Sequence, residues 1–423
     1  MAHRRRARSR PSALRRGVVG ADPGVKLAAR VGRGPLIRPA DVLPSLPELE
    51  VVSVFNPAAA RVGDEIVLLL RVSERPRSDV APPAGAVTLE LGGPRLVARP
   101  LPPGLRAEDV VGMTFLDVQA RPPRVAVGYV RRDTPGLDLS DRRTIRFKGG
   151  VSLTGSEDYL SQMSHLRVAR SRDGVHFSVD RGPALTPSYL LEEYGIEDPR
   201  AARIDGAWHV TYVSVSRLGI TTSLATTRDF VAFERRGVVL HPDQKDVVLF
   251  PERFGGRYAA LTRPMPQSFA RVFGIWIAFS TDLVSWGDHR PLALPRPGCW
   301  DSARTGAGSV PFRTPRGWLE LYHGVDHDSR YAMGALLLDG ADPRRVIARS
   351  PEPILVPQEP FEREGVNADT IFACGHVPLD DHGGKVRVYY GAADSVVGAA
   401  DVDVTAVLAH LEPVPDAEQL ALC

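Results

Sequence analysis

One pattern constrains this chain more than any other: a turn glycine followed by alternating apolar residues, repeated five times. The copies are Gly63-Asp-Glu-Ile-Val-Leu-Leu-Leu-Arg71, Gly206-Ala-Trp-His-Val-Thr-Tyr212, Gly256-Arg-Tyr-Ala-Ala-Leu-Thr-Arg263, Gly317-Trp-Leu-Glu-Leu-Tyr-His323 and Gly384-Lys-Val-Arg-Val-Tyr-Tyr390. Alternation with period two is the mark of a strand with one face buried. A second phrase pairs an Asp turn with an aromatic four residues later, at Asp173/Phe177, Asp229/Phe233 and Asp282/Trp286. The Asp can bond its own backbone and shape the turn, which frees the aromatic to pack between adjacent sheets. Strand-rich repeats of roughly 50 residues read as four-stranded blades around a central channel. The expectation is an all-β, five-bladed β-propeller; a solenoid or β-sandwich is the structural alternative. Only Val404 to Leu411 has a helical, amphipathic look.

The first interval breaks the rhythm. Gly63 and Gly206 are 143 residues apart, where later intervals are 50 to 67. Residues 75–155 therefore hold an insertion, read as extra strands beside the first blade within one domain spanning 41–423. Residues 1–40 read as a disordered basic tail, with 11 Lys and Arg against one acid. The rest of the chain has 42 basic and 49 acidic residues, so it offers no basic face for nucleic acid. No run of 18 apolar residues argues for a membrane span. Only Gly17-Val-Val-Gly20 follows the arginines at 15 and 16, too little apolar chain for an export signal. With three scattered cysteines, Cys299, Cys374 and Cys423, the expected location is cytoplasmic and no metal spacing is present. Lys245 stands out because only four of the 53 basic residues are Lys.

In a propeller the innermost strands aim polar groups at the axis, so candidate residues are sought at the ends of the repeated strands. Gly195-Ile-Glu-Asp-Pro-Arg200 is the sharpest segment. In extended chain Glu197 and Asp198 face opposite ways, and Asp198 shares a face with Arg200. Asp243-Gln-Lys-Asp246 sets Lys245 beside a carboxylate, and Trp300-Asp-Ser-Ala-Arg-Thr-Gly-Ala-Gly308 carries glycines that let backbone amides approach an anion. His323 and Asp394 close the fourth and fifth copies.

Taken in order, several motifs resemble those of glycoside hydrolase family 130, the β-mannoside phosphorylases and β-mannosidases. They are Asn56-Pro57 with Arg71, Glu197-Asp-Pro-Arg200, Lys245-Asp246 with Phe250-Pro-Glu252, Arg263-Pro264, Ile275-Trp-Ile-Ala-Phe-Ser with Asp282-Leu and Trp286-Gly, Gly306-Ala-Gly308, Gly317-Trp-Leu-Glu-Leu-Tyr-His-Gly324, Leu338-Asp with Asp342-Pro, and Tyr389-Tyr-Gly-Ala-Ala-Asp394. The resemblance covers roughly residues 50–72 and 160–410. It implies a five-bladed propeller acting on β-mannosides with inversion, with Asp198 as general acid. It also implies Arg304 and His323 as phosphate ligands, to which Lys245 is added. Asn56, Arg71, Glu197, Arg200, Tyr212, Arg263, Asp301 and Asp394 complete the candidate set as sugar-binding residues.

An inverting hydrolase needs a second carboxylate to activate water. A phosphorylase replaces it with cations around an anionic nucleophile. Phosphorolysis to mannose 1-phosphate is the favoured expectation, with inorganic phosphate as co-substrate and no metal or other cofactor. Hydrolysis, with Glu252, Glu320 or Glu364 as base, and a non-catalytic sugar-binding role are the alternatives. The expected partner is a manno-oligosaccharide, and a homo-oligomer is compatible with the chain.

Overall fold

The computed structural model describes residues 26–91, 96–141, 143–149, 155–267, 269 and 271–415. The arginine-rich head and Cys423 lie outside them. The described chain is all-β, built mainly from five antiparallel sheets laid down in sequence order. The first sheet holds Leu49–Val62, Glu65–Pro76, Met163–Ser171 and Ser178–Val179. The second holds Ile196–Ile204, Ala207–Ser216, Gly219–Thr227 and Glu234–Leu240; the third holds Gln244–Phe254, Arg257–Pro264, Ile275–Ser280 and Trp286–Ala293. The fourth runs Arg304–Gly306, Gly317–Val325, Tyr331–Leu338 and Val346–Arg349, with Glu412–Pro413 at its edge. The fifth runs Ile371–Pro378, Lys385–Ala392 and Val396–Asp403, and Ala28–Arg30 pairs outside the last of these.

Every copy of the glycine repeat becomes the second strand of its sheet. This corrects the expectation that the repeated strand is innermost: the strand before it carries the site. The three Asp turns form as read. Asp173, Asp229 and Asp282 accept backbone N–H groups two and three residues on, at 2.7–3.3 Å. Their aromatics pack between sheets. Phe177 lies edge-on to Tyr389 of the fifth sheet at 5.7 Å. Phe233 joins the cluster between the first and second sheets, and Trp286 the one between the second and third.

Five apolar clusters join the sheets in turn. Leu69 and Val168 meet Val210; Leu224 meets Leu249; Phe250 meets Trp318; Leu321 meets Val388; and Tyr389 and Val397 return to Leu68 and Leu70 of the first sheet. Burial on this scale contributes roughly 25 cal/mol per Å² of apolar surface. The polar exceptions are therefore the informative ones.

One boundary differs from the sequence reading. Residues 26–40 belong to the folded body, and Arg30 is an ion-pair partner of buried Glu362 at 2.7 Å. Positive charge counted along the chain cannot separate a solvated arginine from one that seals a sheet edge. The insertion falls between the second and third strands of the first sheet. It builds its own core from Leu89, Met113, Val130, Ile145, Phe147 and Tyr159. It also reaches the second sheet, where Tyr159 packs on Tyr194 at 5.5 Å and its hydroxyl accepts from Arg217 at 3.2 Å. Val404–His410 is a helix as expected, with Asp403 capping the Ala406 amide at 2.8 Å. Among the described residues no helix is long and apolar enough to cross a membrane.

Candidate active site

The first strands of the first three sheets each contain a register shift, between Phe55 and Ala58, Glu197 and Arg200, and Lys245 and Val248. At each shift one residue adopts the left-handed conformation: Asn56 at φ 47°, Asp198 at φ 48° and Asp246 at φ 53°. That backbone costs an ordinary L-residue about 1–2 kcal/mol, and Asn and Asp tolerate it best. A bulge re-aims the side chain at the cost of ladder pairing. Three consecutive strands thus turn one short polar side chain each toward a common centre. Asp394, in the turn between the last two strands of the fifth sheet, is also left-handed at φ 50°.

Two clusters result. In the first, the buried Asp198 carboxylate accepts from Asn56 Nδ2 at 2.8 Å and Arg71 Nη1 at 3.1 Å. Arg71 also donates to Glu197 at 2.8 Å and to Ser164 Oγ at 3.1 Å, and stacks on Phe55 at 4.4 Å. Lys245 Nζ lies 3.5 Å from the other oxygen of Glu197. Burial alone would raise the Asp198 pKa, but Arg71, Lys245 and Arg200 outweigh it and hold the carboxyl below its usual range. Asp394 responds oppositely: burial, helped by Asp198 and Glu197, pushes it up to about 6 against the pull of Arg71.

The second cluster centres on Asp246. Arg263 pairs with it at 2.7 Å, His323 Nε2 lies at 3.3 Å and Arg200 at 3.3 Å. Arg263 and Arg200 outweigh burial and drive its carboxyl far below the usual range. Burial keeps His323 neutral despite Asp246. Arg263 Nη1 lies 3.1 Å from His323 Nε2. Arg can only donate, so Nε2 accepts and the ring proton sits on Nδ1. That Nδ1, Arg263 Nε and Arg304 Nε are all buried without a hydrogen-bond partner among the described residues. Arg304 donates to Tyr331 at 3.1 Å, and Phe372 stacks on His323 at 4.5 Å. A Cβ on Gly306 would collide with both Asp246 and His323, which explains a glycine there.

Three residues of the candidate set do other work. Arg200 is taken up by protein groups: it donates to the backbone oxygens of Asp198, Ala307 and Gly308 at 3.0–3.2 Å besides meeting Asp246. Tyr212 lies in the apolar contact of the first two sheets, its hydroxyl on Glu192 at 3.0 Å. Asp301 is locked by Arg296, Arg349 and Tyr322 within the fourth sheet. Lys245 sits with the carboxylates rather than with Arg304 and His323. Asp246, Tyr331 and Phe372 were missed as site residues. Only Asp246 carries a sequence signal, its place beside Lys245.

The three glutamates considered as bases also lie elsewhere. Glu252 is exposed and paired with Arg313 at 3.0 Å, and Glu364 is exposed. Glu320 is fully buried, accepts the Gly308 amide at 2.7 Å, and is pushed up to about 8 by burial.

Comparison with known proteins fits this geometry. Residues 154–412 match the family model described as beta-1,4-mannooligosaccharide phosphorylase. The chain is 39% identical over 383 residues to the beta-1,2-mannobiose phosphorylase of Listeria innocua, covering 90% of this chain and 98% of that one. It is 40% identical over 249 residues to a 1,2-beta-oligomannan phosphorylase of Thermoanaerobacter, covering 58% of this chain and 81% of that one. The solved structure of the Listeria innocua enzyme with beta-1,2-mannobiose superposes with a TM-score of 0.76 over 90% of this chain and 98% of that one, at 38% identity. The chain belongs to glycoside hydrolase family 130.

Proposed function

We propose that this protein is an inverting β-mannoside phosphorylase acting on β-1,2-linked mannobiose or short oligomannans, with the five sheets as blades of a propeller around the site. The return of the fifth sheet's core onto the first supports the closed ring. The observation that carries the activity is the trio of buried, unpartnered donors on Arg263, His323 and Arg304. Leaving buried donors unsatisfied costs about 1–3 kcal/mol each, which an oxyanion relieves. Inorganic phosphate is the anion that fits, and the relatives' β-1,2 specificities support the linkage.

In this reading a phosphate oxygen attacks the anomeric carbon from the Arg263 side as the glycosidic C–O bond breaks. The Asp198 proton passes to the leaving oxygen, giving mannose 1-phosphate and the shortened sugar. Asp198 starts ionised because cations surround it. The arriving phosphate adds negative charge to the same pocket and raises its pKa, so that Asp198 takes up a proton from water before the C–O bond breaks. Lys245, paired with Glu197, belongs on this reading to the sugar-binding half. Hydrolysis stays a second reading for one reason: Asp394, titrating at about 6, is a carboxylate able to accept a proton from water.

Product analysis with β-1,2-mannobiose, with and without phosphate, decides. Mannose 1-phosphate formed only with phosphate is the expected result. Free mannose at a phosphate-independent rate, abolished in Asp394→Asn, would establish hydrolysis instead.

A further inference from the structure

Downstream of the site, the same segments that supply it line a second, solvent-open cavity of about 290 Å³, with Arg61 and Arg203 exposed at its rim. Asn56 leads to Arg61, Asp198 to Arg203, Asp246 to Pro251, and Gly306 to Phe312, and His376 comes from the fifth sheet. Arg200 and Glu320, both buried on the Gly308 backbone, come between the two spaces along the strands.

The chemistry of the lining is one-sided. It contains Arg61, Arg203 and His376, with no Asp or Glu. Of the carboxylates close in sequence, Glu252 pairs with Arg313 at 3.0 Å, Asp205 pairs with Arg253 at 2.9 Å, and Asp380 accepts the backbone amides of His382 and Gly384. The Arg203 guanidinium has no hydrogen-bond or ion-pair partner among the described residues. Arg61 makes a single bond, to the Pro378 carbonyl at 3.3 Å. His376 is fixed through Nδ1 by Ser309 Oγ at 3.0 Å, and its ring lies 4.6 Å from that of Phe312. Trp208 adds a second aromatic surface. Arginine forks suit phosphate oxygens, and aromatic faces suit the apolar faces of a pyranose ring. The volume lies at the lower end of small-molecule pockets and suits one monosaccharide.

We propose that this second cavity binds a monosaccharide phosphate, with the phosphate held by Arg61 and Arg203 and the sugar ring against Trp208 and Phe312. It is separate from the catalytic cluster and holds whichever reaction that cluster performs.

Equilibrium dialysis of the full chain with labelled mannose 1-phosphate tests it, comparing wild type, the Arg61→Ala/Arg203→Ala double variant and His323→Ala. Neither arginine belongs to the catalytic cluster, so turnover of β-1,2-mannobiose by the double variant reports its folding. The expected result is one class of binding sites lost in the double variant, with turnover retained, and kept in His323→Ala. Binding unchanged in the double variant would overturn the proposal. So would loss of all binding in His323→Ala. A parallel titration with inorganic phosphate is expected to be at least about tenfold weaker at this site, since one sugar contact surface is missing. Equal affinity for phosphate alone would make it a bare anion site and overturn the sugar assignment. Charge reversal at Arg203 alone, Arg203→Glu, is expected to weaken mannose 1-phosphate there more than Arg203→Ala does; the reverse order would also count against it.

Discussion

The two halves of the active site are built from the same residue types and do opposite things. Around Asp198, cations satisfy carboxylates and each nitrogen of Arg71 makes a hydrogen bond. Around Asp246, one carboxylate serves Arg263, Arg200 and His323, so donors are left over. The first half is balanced and can hold and release a proton. The second has unmet donors and can take an anion. The lesson is that stoichiometry of charge within a few ångströms, rather than the presence of Arg or Asp, sets the role of each half.

The sharpest way to break this comparison is Asp198→Asn. Turnover should fall by about 10³- to 10⁴-fold, in line with loss of a general acid, while mannobiose binding measured calorimetrically persists. Retained turnover would move the acid elsewhere, Asp394 first. Asp246→Ala should be next in size. It strands Arg200 and Arg263 without their buried partner and should cost about 3–5 kcal/mol of stability, read by denaturant unfolding. A neutral result would mean the cations find water instead. His323→Ala removes one of the proposed phosphate donors and should lower kcat/KM for phosphate by about 10²-fold with little change in KM for mannobiose. Equal effects on both substrates would erase the division into halves.

The smallest effect is a pH dependence. Glu320 has its pKa raised to about 8 in the folded state. Between its unfolded value of about 4.5 and 8 the folded protein holds the extra proton, so this group's contribution to stability declines as pH rises through that window. Wild type should therefore lose a few degrees of Tm relative to Glu320→Gln between pH 5 and pH 8. Parallel curves would show that Glu320 is ionised in the fold.

Much of the fold was legible because strand alternation and Asp turns are local. The five glycine repeats, the three Asp/aromatic pairs and the C-terminal helix all appear where the sequence puts them. The insertion was legible as an interruption, but its docking on Tyr194 and Arg217 was not, since nothing local encodes a contact across 58 residues. In the site, Asn56, Arg71, Glu197, Asp198, Arg263, His323 and Arg304 come together as a set. Arg200, Tyr212 and Asp301 sit near motifs yet are consumed by backbone oxygens or internal ion pairs. Such partners are distant in sequence: Arg200 reaches Gly308, 108 residues on.

The sequence alone determined that this chain is a repeated-strand protein of a mannoside-active family, because periodicity and motif order are properties of one dimension. Only the tertiary structure decided which arginines are spent and which are free. That depends on bulges that swing Asn56, Asp198 and Asp246 out of register, and on carbonyls and carboxylates brought in from other sheets. Hydrogen-bond satisfaction is settled only when all partners are in place.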